Sequence, residues 1–278
     1  MDAEEAELRI AVTTSRRPDV REQKAAEELA AREGFLFRPR YGRSVESLLA
    51  GDTGRGEGPV AVLLVATPEQ VVAYSRDGPP FFFHPSMAKL RIQRLRQGGV
   101  DPMVTAMDLG RGQKVLDCTL GFGADAIVSS YVVGETGKVV GWESSPVIAC
   151  VVREGMARYQ QPERSDFPAL VAALRRIRVE RVDHRLELRQ LPDASFDVVY
   201  FDPMFKNPIL HSQPLAPLRL FADDRQLTPP VLEEAKRVAR CRVVVKDRVD
   251  GDELDRLGLT WRVGGRKSPV TFGVWSRE

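Results

Sequence analysis

The stretch "FDVVYFDPMF", residues 196–205, is an apolar run that ends in a carboxylate, a proline and an aromatic ring. Asp202 and the carbonyl oxygen of Pro203 are neighbouring acceptors, and proline's fixed φ stiffens the turn. Phe205 offers a flat face for stacking, while Met204 is expected to fill the core. Two acceptors and an aromatic face can hold a planar amine and aim its nitrogen lone pair at an electrophile. The pattern therefore predicts a catalytic loop at Asp202, Pro203 and Phe205.

A second candidate site is the glycine loop "VLDCTLGFGADA", residues 115–126. A strand is expected to end at Asp117, and Gly121 and Gly123 let the backbone approach a ligand before a helix begins. The loop also satisfies G-x-G-x-x-A, with Glu143 about 20 residues further on, so an NAD-dependent oxidoreductase stays an alternative. Asp117, four residues before Gly121, favours a ligand with a positive amino group over one with two phosphates.

The elements that must position these residues follow from apolar runs that alternate with helix-length stretches. They predict a doubly wound α/β fold with a seven-stranded, mostly parallel sheet. The last two runs are separated only by "GGRKSP" and are expected to form an antiparallel hairpin at one edge. Residues 1–80 predict a small N-terminal α/β domain, and residues 81–278 the larger one. The seven runs are "KVLDCTL", "KVVGWE", "IRVERVD", "FDVVYFD", "RVVVKD", "LTWRV" and "VTFGVWS".

The pattern acid-x-x-x-Gly-x-Gly resembles motif I of the class I S-adenosylmethionine-dependent methyltransferases, with Thr119 in place of the usual first glycine. In that family the loop holds the methionine part of the cofactor and an acid after the second strand binds the ribose. An acid after the third strand faces the adenine. The resemblance implies cofactor contacts from Asp117, Thr119, Gly121, Gly123, Ala124, Asp125, Glu143, Ser144, Asp183, His184 and Asp202.

"DPMF" is similar to the (Asn/Asp)-Pro-Pro-(Tyr/Phe) motif of amino methyltransferases, with Met204 replacing the second proline. Within that class it looks most like the bacterial 16S rRNA guanine-N2 methyltransferases, and the likeness covers roughly residues 81–250, including "ARCRVVVK". The resemblance implies methyl transfer from S-adenosylmethionine to an exocyclic amine of an RNA base. Guanine N2 in 16S rRNA is favoured, with naked RNA and the small ribosomal subunit both open as partners.

Basic residues form local clusters, although the formal net charge is only +2, with 41 basic and 39 acidic residues. The helix expected from Met87 to Arg96 carries several cations, and "TTSRRP" is similar to the start of Brix-type RNA-binding domains. Such clusters can follow a phosphate backbone. Contacts with the RNA substrate are expected from Lys89, Arg91, Arg94, Arg16, Lys206 and Lys246.

Other features exclude several classes of protein. The three cysteines have no CxxC spacing, so neither a disulfide framework nor a metal site is expected. The acidic start and the short apolar runs predict a cytoplasmic protein without membrane segments. Two further alternatives stay open: a methyl acceptor in DNA, protein or a small-molecule amine, and a non-catalytic RNA-binding factor. The oligomeric state is not predicted.

Overall fold

The computed structural model describes residues 8–52, 58–160, 167–203, 218, 220–265 and 268–277. These residues form a five-stranded and a seven-stranded sheet, both flanked by helices. The seven-stranded sheet is mostly parallel, which confirms the predicted α/β class.

The smaller sheet has the order β2-β1-β3-β4-β5. Its first helix begins after Asp19, whose side chain accepts a hydrogen bond from the Glu22 amide, and it ends at Gly34 in the left-handed region at φ 71°. The last strand lies just beyond residue 80, where the sequence predicted a domain boundary. The elements are β1 Ile10–Thr13, α1 Val20–Glu33, β2 Leu36–Phe37, α2 Val45–Ala50, β3 Val62–Ala66, β4 Val71–Ser75 and β5 Phe81–Phe82.

The larger sheet is built from the chain after β5, and each predicted strand is present. A 3-10 turn, Leu188–Gln190, follows the eighth helix. The elements are α3 Ser86–Arg96, α4 Pro102–Met107, β6 Lys114–Asp117, α5 Ala124–Val133, β7 Lys138–Glu143, α6 Pro146–Arg158, α7 Pro168–Arg175, β8 Ile177–Arg181, α8 His184–Glu187, β9 Phe196–Phe201, α9 Pro229–Val238, β10 Ala239–Arg248, α10 Glu253–Arg256, β11 Trp261–Gly264 and β12 Val270–Ser276.

The strand order of the larger sheet is β11-β12-β10-β9-β6-β7-β8. The five strands β8, β7, β6, β9 and β10 are parallel, so their carboxyl ends meet at one edge. β11 and β12 form the predicted antiparallel hairpin at the opposite side from β8. The order reverses beside β6, which makes the gap between the carboxyl ends of β6 and β9 the topological switch point where ligands bind in such folds.

A shared hydrophobic core joins the two sheets. It contains side chains of β1 and α1, such as Val12 and Leu29, together with α6 side chains such as Val151. Burial of these apolar side chains is the main favourable contribution to the stability of both units. Among the helices in the described ranges, none combines the length and apolar character needed to cross a bilayer.

Candidate active site

Four carboxylates and one lysine gather at the carboxyl edge of the larger sheet. Asp117 is the last residue of β6, Glu143 is the last residue of β7, and Asp202 directly follows β9. Lys246 lies in β10 at the level of Asp202, since the preceding Val245 is paired with Phe201. Asp183 completes the set as the N-cap of α8, two residues after β8. The parallel arrangement therefore brings together residues that are far apart in the sequence.

The glycine loop between β6 and α5 is packed to different degrees at its two glycines. Gly121 and Gly123 have φ of +51° and +75°, a backbone conformation that favours glycine. A Cβ at Gly123 would lie 2.4 Å from Cε of Met156, whereas among the described residues the nearest atom to a Cβ at Gly121 is Cδ2 of Leu218, at 3.8 Å. The loop is thus tightly packed at Gly123, whereas at Gly121 its described neighbours stand at ordinary van der Waals distance.

Glu143 and Asp117 hold this loop through its amide groups. Glu143 accepts hydrogen bonds from the amides of Gly121 at 3.0 Å and Ser145 at 2.9 Å, and Asp117 accepts one from Thr119 at 3.1 Å. Burial raises the pKa of Asp117 well above its usual value, and the nearby carboxylates raise it further. Burial also raises the pKa of Glu143, although its backbone hydrogen bonds favour the charged form.

Thr119 connects the glycine loop to the catalytic loop. Its Oγ1 accepts a hydrogen bond from the amide of Asp202 at 2.5 Å. The amide of the preceding residue, Cys118, donates to the carbonyl of Tyr200 at 2.9 Å. A glycine at position 119 has no hydroxyl, so the departure from the usual motif supplies the acceptor that fixes the start of the Asp202 loop.

Arginine and aspartate side chains form a network at the β7–β8 side of the site. Asp183 is bound by Arg185 at 2.6 Å, and the same arginine reaches Asp223 at 2.8 Å. Ser144 donates to Asp223 at 3.2 Å, and Arg225 binds Asp223 at 2.6 Å. The sequence analysis missed Arg185, Asp223 and Arg225. Their weak signals were the charge next to Asp183 and the polar turn "ADDRQ" before α9.

His184 is half-buried and lies beside β9. Its ring packs edge-on against Phe201, with 5.4 Å between the ring centroids. Burial lowers the pKa of His184 to about 4, so the imidazole is neutral at physiological pH.

Asp202 and Asp125 share the ammonium group of Lys246. Nζ of Lys246 lies 2.8 Å from Oδ2 of Asp202 and 3.4 Å from Oδ2 of Asp125. Asp125 also accepts hydrogen bonds from the hydroxyl of Tyr200 at 2.8 Å and from Arg91. Burial raises the pKa of Asp202, and Lys246 opposes that effect. Burial also acts to raise the pKa of Asp125, but Lys246 and Arg91 outweigh this effect and hold the pKa below its ordinary value.

The residues predicted to contact RNA lie in different environments. Arg94 and Arg16 are exposed, and Arg16 donates to the carbonyl of Gly42 at 3.2 Å. Lys89 is half-buried on α3. Arg91 points inward from the same helix, where it binds Asp101 at 2.7 Å as well as Asp125. Three residues of the predicted catalytic and RNA-contacting segment lie outside the described residues: Met204, Phe205 and Lys206.

These residues fit S-adenosylmethionine. Gly121 has no side chain and a positive φ, so a ligand can approach its backbone closely. Asp117 and Glu143 lie beside it and are acceptors for an amino group or for hydroxyls. The switch-point position, with acids after successive strands, defines an S-adenosylmethionine-dependent methyltransferase of class I.

A family model described as "Putative SAM-dependent methyltransferase" matches residues 70–267. The chain belongs to this family, its cofactor is S-adenosylmethionine, and the nicotinamide alternative is dropped. A SAM-dependent methyltransferase from Neisseria gonorrhoeae shares the fold at a TM-score of 0.60 and 18% identity, with 96% of this chain and 95% of that chain covered.

Among curated proteins, YpiP of Bacillus subtilis is 40% identical over 89% of this chain and 92% of its own length. "Ribosomal RNA small subunit methyltransferase J" of Nitrosococcus oceani is 32% identical, with 55% of this chain and 60% of that protein covered. The protein of that name from Pseudomonas syringae is 28% identical, with 63% and 65% covered. Both matches span less than two thirds of the ribosomal RNA methyltransferase.

Proposed function

We propose that this methyltransferase modifies an exocyclic amino group of an RNA base, with guanine N2 in 16S rRNA as the favoured acceptor. The observation that carries the proposal is the position of Asp202, which opens the Asp-Pro loop at the switch point beside Gly121. Among the residues that the structure describes, none donates a hydrogen bond to its Oδ1. We assign that oxygen to the incoming amine. The names of the two ribosomal RNA methyltransferases support RNA as the acceptor.

Bound S-adenosylmethionine supplies an electrophilic methyl group on a sulfonium centre. Asp117 would accept a hydrogen bond from the amino group of its methionine part, and the Gly121 backbone would lie against the same part. Glu143 and Ser144 are proposed at the ribose and Asp183 and His184 at the adenine. Ala124 begins α5, the helix that follows the glycine loop. The loop and strand ends would thereby hold the cofactor next to Asp202.

Asp202 and Pro203 act on the amine. Its two N–H groups donate to Oδ1 of Asp202 and to the carbonyl oxygen of Pro203, which turns the nitrogen lone pair out of conjugation with the ring. The N–C bond forms as the C–S bond breaks, and the electron pair of that bond stays on sulfur. The nitrogen then loses one proton, which Asp202 accepts and passes to water. Phe205 is proposed to stack on the base.

The RNA would lie across cationic side chains on two elements. Arg16 and Arg17 lie exposed after β1, and Arg94 and Arg96 lie exposed on α3. A base in a folded RNA must leave its stack to reach the switch point, so splayed or single-stranded sites are favoured. Such a protein would act in the cytoplasm, where ribosomal RNA is made and modified in bacteria.

The test is methyl transfer from labelled cofactor to total rRNA from a strain lacking the gene. DNA, protein and small-molecule amines serve as parallel acceptors, and mass spectrometry maps the methylated base. We expect label in rRNA, and a loss of about 100-fold or more in turnover for Asp202→Ala with cofactor affinity kept within a few-fold. Asp193→Ala is the matched control, because the Asp193 side chain is 79% exposed.

Two results would contradict the proposal. Label that enters only protein, DNA or a small molecule would exclude an RNA acceptor. Full biological activity of Asp202→Ala would instead favour a non-catalytic RNA-binding role.

A further inference from the structure

A chain of charged and polar groups extends behind Asp202 into the protein. Lys246 binds Asp202, Asp125 binds Lys246, and Arg91 and Tyr200 both donate to Asp125. The groups come from four elements, β10, α5, α3 and β9, in addition to the loop that carries Asp202. A chain assembled from so many elements has a fixed geometry, since each element is held by its own packing.

The interior end of this chain is firmly anchored. Arg91 forms an ion pair with Asp101, whose carboxylate accepts hydrogen bonds from two guanidinium nitrogens at 2.7 Å and 3.0 Å. Asp101 is itself fixed as the N-cap of α4, accepting from the amides of Met103 and Val104. Tyr200 is 1% exposed in the core of the sheet. Asp125 is therefore an acceptor held in place by protein groups.

At the outer end of the chain, the described residues hold one carboxylate oxygen and the amide of Asp202. Lys246 occupies Oδ2, Thr119 fixes the amide, and Oδ1 accepts no hydrogen bond from any residue in the described ranges. About 29% of the Asp202 side chain is exposed, against 12% for Asp125. An ammonium group bound to one carboxylate oxygen stabilises the ionised carboxylate and fixes the direction in which the other oxygen points.

We propose that Lys246 is a positioning residue for methyl transfer: it holds Oδ2 of Asp202 so that Oδ1 meets the amine of the acceptor base. Asp125, fixed by Arg91 and Tyr200, anchors the ammonium group from behind. Asp125 and Lys246 thus act through Asp202 and not on cofactor or RNA phosphate. The inference rests on the function proposed above.

The electrostatics of the chain agree with this role. Burial acts against the charge of Lys246, but Asp125 and Asp202 outweigh it and raise the pKa of the ammonium above its ordinary value. Lys246 in turn lowers the pKa of Asp202 against the effects of burial and of Asp125. Removing the ammonium must therefore raise the pKa of Asp202. Among the described residues, the charged and titratable groups that face Asp202 are Lys246, Asp125, Arg91, Asp117 and Tyr200.

The first test is kinetic, with Lys246→Met and the purified full chain. Turnover needs ionised Asp202, so activity falls as pH drops through its pKa. With that pKa raised, the acid limb of the kcat profile should move to higher pH by about one to three units. At neutral pH kcat should fall about ten- to a hundredfold, with KM for RNA changed less than threefold. Lys246→Arg should recover part of kcat and return the acid limb towards its wild-type position.

The matched control is Lys236→Met, which removes a lysine that pairs with Glu233 at 2.7 Å on the outer helix α9. Its kinetics should equal those of the wild type. An increase in KM for RNA with kcat and the pH profile unchanged would overturn the proposal, because it would show that Lys246 contacts the substrate directly.

Two further measurements test the chain with a milder substitution and without the RNA assay. Tyr200→Phe removes only the hydroxyl that holds Asp125, and it should lower kcat about two- to tenfold with the acid limb shifted the same way. The carboxyl ¹³C resonance of Asp202, assigned with Asp202→Asn, should titrate at higher pH in Lys246→Met without any RNA. An unchanged titration would overturn the role of Lys246. Failure of the wild type to methylate RNA would overturn the proposed function, and the titration would still decide the coupling.

Discussion

The Thr119 side chain holds the backbone of Asp202 in position. Its hydroxyl oxygen accepts from the Asp202 amide, while its own amide donates to Asp117. One residue thus ties the end of β6 to the start of the loop after β9. The Thr119 hydroxyl fixes the backbone amide of Asp202, and Lys246 fixes its carboxylate.

Replacing this hydroxyl should separate cofactor binding from turnover. Thr119→Val keeps the side-chain shape but leaves the Asp202 amide without its acceptor, which costs about 1–3 kcal/mol of stability. We expect kcat to fall about ten- to a hundredfold, while calorimetry shows S-adenosylhomocysteine affinity within about threefold of the wild type.

Two companion variants sharpen this prediction. Thr119→Ser retains the hydroxyl and should keep most of the activity. Thr105→Val removes a hydroxyl that binds the Asp101 carbonyl in α4 and should change kcat little. Equal loss of kcat in Thr119→Ser and Thr119→Val would show that the methyl group, and not the hydroxyl, matters.

At the residue scale the sequence predicted the identity of the site residues better than their partners. Asp202 was predictable because an acid follows an apolar strand and precedes proline. The ion pairs of Asp125 were not, since Lys246 lies 121 residues away and Arg91 lies 34 residues away. Arg91 resembled its exposed neighbours on a basic helix, and only tertiary packing turns it inward to Asp101 and Asp125.

The glycine loop sets the relation between β6 and α5 at the element scale. Gly123 is the N-cap of α5, has positive φ and packs against α6 through Met156. Any side chain there must both adopt a conformation that L-residues disfavour and displace a core methionine. The helix start, and with it Asp125, would shift.

Gly123→Ala should therefore lower both stability and cofactor affinity. The left-handed backbone alone costs about 1–2 kcal/mol, and the contact with Met156 adds to it. We expect S-adenosylhomocysteine affinity to fall at least about tenfold by calorimetry. Gly98→Ala is the control, since Gly98 has φ of +78° and a Cβ there would meet nothing within 4 Å. It should lose stability through strain alone; a similar loss of cofactor affinity in Gly98→Ala would contradict the explanation.

Element types and order followed from the sequence because the signals were local. β6, β7 and β9 are nearly continuous apolar runs, which buried parallel strands require. The final hairpin followed from a linker too short for a helix. The polar turn that brings Asp223 over Ser144 and Arg185 could not be predicted, because its partners come from two other strand ends and no periodicity marks them.

At the scale of the whole molecule, helices α1 and α6 join the two sheets. Beside their shared apolar core, Arg32 of α1 binds Glu154 of α6, and Arg153 of α6 binds Glu33 of α1. Glu154 also binds Arg158 at 2.6 Å within α6. The sequence predicted two domains because the stretch "DGPPFFFHPS" interrupts the pattern near residue 80. The ion pairs between α1 and α6 lie far from residue 80 in the sequence, so no local pattern predicted them.

The two sheets share a hydrophobic core and an ion-pair network. We therefore expect the two sheets to unfold as one unit. Hydrogen exchange in urea should report coincident transitions for β1 and β3 of the small sheet and for β6 and β9 of the large one. Glu154→Gln should lower the free energy of unfolding by about 1.5–3 kcal/mol in both sheets, because buried Glu154 accepts from two arginines. Glu28→Gln, whose pairing with Lys24 is exposed, should stay within about 0.5 kcal/mol. Two separate transitions, with Glu154→Gln affecting one of them, would contradict this prediction. They would show that the N-terminal unit is energetically independent and that its arginines belong to a separate domain.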